Sequence, residues 1–105
     1  MTAEGQPVTR FRRAIEHHNL FEAKSAAREL GRLDLSEALG LLELIAEREP
    51  HRYERAALRW HGRLELERPG LTLAQAQLAV AALGVLPADP EQAGELLRAI
   101  EQRHR

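Results

Sequence analysis

Four polar residues in this chain are each followed, three positions on, by Glu or Gln: Asn19 with Glu22, Asp34 with Glu37, Thr72 with Gln75 and Asp89 with Gln92. The pattern marks helix starts. The first side chain accepts an orphaned N–H of the first turn, and the Glu or Gln reaches back to the N–H of the cap residue. Leu33 with Ala38, and Leu71 with Ala76, straddle two of these starts at the spacing of a hydrophobic staple. Pro50 and Pro90 suit first helical residues, where no N–H donor is needed. Gly31 and Gly84 suit left-handed helix stops. No segment alternates long enough for a strand. The expected fold is all-α, with about six helices over 8–18, 20–30, 35–49, 50–67, 73–83 and 90–103, packed as stacked antiparallel hairpins. Residues 1–7 are expected to form a flexible N-terminal tail and 8–105 a single helical domain.

The 105 residues suit one domain with its own core, without metal or disulfide support. Cysteine is absent, which excludes a disulfide scaffold and a thiolate metal site. A formal net charge of -1 gives no global field toward nucleic acid or acidic lipid, so any such affinity needs a local patch. The start, "MTAEGQPVTRFRR", lacks the apolar segment of a secretory signal. The longest apolar run, Leu78 to Ala88, is far short of the roughly 20 residues that span a bilayer. A cytoplasmic protein is expected.

Internal similarity adds a second constraint. "LFEAKSAARELGRL" from Leu20 aligns with "LAQAQLAVAALGVL" from Leu73, matching Leu20, Ala23, Ala26, Leu30, Gly31 and Leu33 to Leu73, Ala76, Ala79, Leu83, Gly84 and Leu86. The chain reads as two units of three helices, each with an LG-x-L turn. A two-fold three-helix repeat and two hairpins obeying the same capping rules account for this equally well. The third helix should be central, because its apolar positions cover more than half its circumference and must be covered on two sides. Either its neighbours do this within one chain, or Leu41 and Leu44 face a second chain.

The candidate surface lies in "RYERAALRWHGRLELER". Arg52, Arg55, Arg59 and Arg63 recur at three, four and four, and so share an arc of roughly 80° on a helix. Tyr53, Ala57, Trp60 and Leu64 form the neighbouring inward stripe. Arginines beside such a stripe can simply cover its edge with their methylene stems. As a site, four guanidinium forks in a row could grip phosphates or a partner's carboxylates. Arg10, Arg12 and Arg13 could add to it.

Other chemistry is poorly supported. His17 and His18 are adjacent and point about 100° apart on a helix, so they cannot chelate one metal. His61 has Glu65 one turn on as a hydrogen-bond partner. There is no G-x-S-x-G, no phosphate-cradling glycine loop and no H-E-x-x-H; no cofactor is expected. A helix-turn-helix at "AARELGRLDLSEALGLL" puts Glu37 and Gly40 where apolar anchors belong. Its counterpart at "AVAALGVLPADPEQAGELL" carries Glu91, Glu95 and Glu101 against Arg98, a face that phosphates would repel.

Residues 20 to 87, through the blocks "AARELGRLDLSEAL", "RYERAALRWHGRLELE" and "LTLAQAQLAVAAL", resemble short Ala/Arg/Leu-rich helical proteins of high-GC actinobacteria. The resemblance implies a bacterial cytoplasmic origin and brings no activity with it. The expectation is therefore a non-enzymatic protein–protein interaction module. It would bind through the groove between hairpins or through Arg52, Arg55, Arg59 and Arg63 with Trp60 as an apolar neighbour. The alternative is a small nucleic-acid-associated factor using the same arginines. A homodimer is a further option, and no membrane association is expected.

Overall fold

A computed structural model describes residues 6–103. They form six α-helices: α1 Pro7–Glu16, α2 Leu20–Leu30, α3 Leu35–Arg48, α4 Tyr53–Glu67, α5 Leu73–Val85 and α6 Pro90–Arg103, with a single 3-10 turn, Pro50–Arg52, ahead of α4. There is no strand among the described residues. Among the described residues no helix is long and apolar enough to cross a membrane.

All four cap side chains accept the bond that the spacing predicts, but the returning bond from Glu or Gln forms at only two of the starts. Asp34 with Glu37 and Thr72 with Gln75 close both halves of a capping box. Asn19 accepts from the N–H of Glu22 and Asp89 from that of Gln92. Gly31 closes α2 with a positive φ of 80°, the left-handed conformation that glycine adopts without a Cβ clash.

Four boundaries differ from expectation. Most of the expected tail, residues 1–5, lies outside the described residues, but Pro7 already opens α1 with Gln6 as its cap. The first helix stops at Glu16 rather than 18, because His18 turns to a φ of 55° to reverse the chain into α2. The stretch expected as one helix over 50–67 begins instead with the 3-10 turn. Its cause is Pro50, which disfavours helical geometry at the residue before it; Glu49 sits at φ -136° and ψ 61°. The expected stop at Gly84 is also wrong: α5 runs through it to Val85. Continuing the helix carries Leu86 into the core, where it is fully buried. The regular bonding is interrupted at Pro87, which has no N–H to give, and the chain turns on bonds from Ala88 and Asp89 to the Val85 carbonyl. The two LG-x-L segments therefore have different backbones, one a left-handed stop and the other helical.

Two hydrophobic clusters share α3. In the larger, Leu35, Leu39 and Leu42 pack with Tyr53, Trp60 and Leu64 of α4 and with the inner faces of α5 and α6. In the smaller, Leu44 packs with Phe11 and Ala14 of α1 and with Leu20, Ala23 and Ala26 of α2. Ile45 touches both. The breadth of the apolar arc on α3 is thus satisfied within one chain: Leu44 is buried, and Leu41 packs against the α1–α2 hairpin rather than facing outward. The arrangement is a hairpin, a shared central helix and a three-helix layer. It is not two equivalent triplets.

Candidate functional site

The stretch that carried the sequence argument, α4, is first of all the clamp of the fold. Five of its side chains, or of the turn after it, hydrogen-bond to main-chain carbonyls elsewhere. The Tyr53 hydroxyl donates to Leu83 at 2.6 Å. The Trp60 indole N–H donates to Leu35 at 2.9 Å. The Nε2 of His61 stands 3.1 Å from the Ala76 carbonyl; since a carbonyl only accepts, Nε2 carries the hydrogen. Arg63 donates to Leu33 at 2.8 Å, and Arg68 to Glu101 at 3.0 Å. These acceptors lie on the α2–α3 turn, α3, α5 and α6, so one helix fixes the register of its neighbours.

This divides the predicted site residues. Trp60 is 3% exposed, its polar edge is used and its rings are in the core, so it offers no face to a partner. Arg63 is also engaged: besides Leu33 it holds Glu67 at 2.8 Å, and Arg32 reaches the same carboxylate at 3.0 Å. The hydrogen bond from Arg63 holds the Glu67 carboxyl below the ordinary carboxylate range. Arg52, Arg55 and Arg59 are exposed. Among the described residues neither Arg55 nor Arg59 has a hydrogen bond or ion pair. Arg10 belongs to the α1–α2 hairpin, where it pairs with Glu29, so it does not extend the row.

The structure supplies an apolar neighbour that the sequence reading did not single out. Leu58, Gly62 and Leu66 recur at intervals of four on the outer side of α4, all exposed. At 100° per residue they lie on the same arc as Arg55 and Arg59. A Cβ at Gly62 would meet nothing within 4 Å, which leaves a shallow notch between two leucines. The signal was present as two leucines off the Tyr53–Leu64 stripe.

The groove between hairpins exists as well. A cleft of about 390 Å³ opens over α3 between the end of α1 and the α5–α6 turn, with Ile15, Gly40, Leu44 and Pro87 among its walls. Its polar groups are mutually occupied: His18 Nδ1 lies 2.7 Å from Glu47, and Arg98 pairs with Glu43. Both pairs tie a hairpin to α3 across the cleft. They serve the fold and leave no convergent charge for a ligand.

The ionisable groups that shift do so away from acid–base chemistry near neutrality. Besides Glu67, Glu49 is held low by its hydrogen bond from Lys24. Burial, aided by the nearby Glu43 carboxylate, pushes the Tyr53 phenol up to about 12. No group of three or more potential metal ligands occurs among the described residues. No protein-family model, curated protein or solved structure matches the chain.

Proposed function

We propose that this chain is a non-enzymatic helical module of the bacterial cytoplasm that binds another protein through the outer face of α4. The supporting observation is the strip itself: Leu58, Gly62 and Leu66 beside Arg55 and Arg59, exposed together on one rigid helix. An amphipathic segment with carboxylates along one edge fits such a surface. Its apolar side chains cover the leucines, and its acidic edge meets guanidinium groups that can hold carboxylates bidentately. Arg52 lies at the start of the same face. Leu58 and Leu66, not the buried Trp60, supply the apolar contact.

The test is fluorescence anisotropy with two labelled probes, an acidic amphipathic helical peptide and a mixed-sequence oligonucleotide. Each is titrated with the parent protein and with Arg55→Glu/Arg59→Glu at several salt concentrations. The expected result is peptide binding with modest salt dependence, lost in the variant while helicity is kept. Binding to the oligonucleotide alone, falling by about one log–log unit for each phosphate neutralised, would replace this reading with the nucleic-acid one. Silence from both probes would return the arginines to the role of a solvated face.

A further inference from the structure

A second surface, independent of the α4 face, lies on α5. From Leu73 to Val85 this helix carries no charged residue, although only one side of it is covered. Ala79, Ala82 and Leu83 point into the core. The opposite side exposes Leu73 (75%), Val80 (54%), Val85 (51%) and Leu78 (45%), with Ala74, Ala81, Gly84 and the uncharged Gln77 between them. An amphipathic surface helix normally puts charge there. Together these side chains leave on the order of 500 Å² of apolar surface, near the top of the roughly 300–600 Å² seen for the largest patch on a monomer.

We propose that α5 pairs antiparallel with α5 of a second copy of this chain. Three features favour that occupant. The first is area: a standard interface contributes about 800 Å² per partner, of which about 60% is apolar, and the exposed face of α5 matches that apolar share. The second is charge. A two-fold interface brings a patch against itself, so any charge near its centre would meet its like; α5 has none, and it offers nothing to attract a charged partner. The third is the order of large and small residues. Ala74, Leu78, Ala81 and Val85 recur at four, three and four, the spacing of a coiled-coil seam. Antiparallel pairing about the middle of α5 sets Leu78 opposite the second copy's Ala81, and Val85 opposite its Ala74. Large meets small along this row. Parallel pairing would instead set each residue against its own copy, crowding Leu78 and leaving gaps at Ala74 and Ala81.

Sedimentation equilibrium of the full chain over a wide concentration range tests the stoichiometry. The expected mass is twice 11.8 kDa at high concentration. Ala81→Glu, which buries a carboxylate against leucine in both copies, is expected to weaken the dimer by roughly a hundredfold with helicity unchanged. Leu78→Lys should do the same, which guards against a folding defect peculiar to either variant. The absence of cysteine makes orientation testable under mild oxidation. Ala74→Cys mixed with Val85→Cys should form a disulfide dimer, whereas Ala74→Cys alone should not. In the antiparallel pair its two copies lie about 16 Å apart along the helix axis, beyond the reach of a disulfide. A chain that stays monomeric, a dimer indifferent to both Ala81→Glu and Leu78→Lys, or ready cross-linking of Ala74→Cys with itself would each overturn the proposal.

Discussion

Leu83 lies four residues before Pro87, and that spacing decides what Tyr53 does. A helical carbonyl accepts from the N–H four residues on, and proline has none. The Leu83 oxygen would be orphaned at the buried end of α5 were it not for the Tyr53 hydroxyl at 2.6 Å. Tyr53→Phe should therefore cost about 1–2 kcal/mol near neutral pH, since a buried acceptor loses its donor. The same variant changes the alkaline limb. The tyrosine pKa is raised from 10.0 to about 12, so its contribution is complete below pH 10 and is lost as pH rises toward 12. The parent should lose on the order of 2–3 kcal/mol over that interval; Tyr53→Phe should not. Urea denaturation at neutral and strongly alkaline pH measures both effects, and equal alkaline losses in parent and variant would refute the assignment. The acid limb has the opposite sign. Glu67 is depressed below 4.5 by its hydrogen bond from Arg63, so it stabilises above that pH and loses its contribution as pH falls. Glu67→Gln should flatten the decline in stability measured on acidification.

Residue roles of this kind were only half legible in the sequence. The period of Tyr53, Ala57, Trp60 and Leu64 marks a buried stripe, and it is buried. What those side chains donate to was not legible, because the acceptors are main-chain carbonyls of distant helices, and composition does not record them. Arg63 illustrates the consequence. It belongs to the arginine row by spacing, yet the turn at Leu33 and the carboxylate of Glu67 draw it into the fold. Glu101 gave a similar false impression. By composition it belongs with Glu91 and Glu95, but it falls one turn after Leu97 on the buried side of α6.

At the scale of elements, the two LG-x-L segments should respond oppositely to the same substitution. Gly31 sits at φ 80°, where alanine is strained; Gly31→Ala should lose about 1 kcal/mol or more. Gly84 is helical and exposed, and a Cβ there meets nothing within 4 Å. Gly84→Ala should gain about 0.5–1 kcal/mol from helix propensity, read by thermal unfolding at low protein concentration. A loss at both sites would mean that Gly84, too, is a left-handed stop. Helix starts were read well from the sequence because a cap is a local device: a side chain, a spacing and a backbone N–H within one turn. Helix ends were read less well because tertiary burial chooses among them. At α5 the choice was made by Leu86, whose place in the core outweighs the freedom that Gly84 offers to stop.

In the molecule as a whole, α3 is common to both clusters, so neither the α1–α2 hairpin nor the α4–α6 layer has a core independent of it. Polar side-chain pairs reinforce these joints unequally. His18 and Glu47 tie α1 to α3 at the surface, where a pair contributes about 0–1 kcal/mol. Arg68 and Glu101 tie the end of α4 to the end of α6 with Glu101 only 1% exposed, at 2.8 Å. The same arginine also caps the Glu101 carbonyl, so its loss removes both contacts at once. Arg68→Ala takes an ion pair and hydrogen bonds away from a buried carboxylate and its carbonyl and should cost about 2–3 kcal/mol, far more than His18→Ala. The charges themselves need not be the source of net stability, since an apolar pair of similar volume avoids their desolvation. Arg68→Met/Glu101→Leu should therefore recover most of the loss. Urea denaturation of parent, both singles and the double variant closes the cycle. A double variant no more stable than Arg68→Ala would show that the ionic contact, and not the filling of the joint, holds α4 to α6.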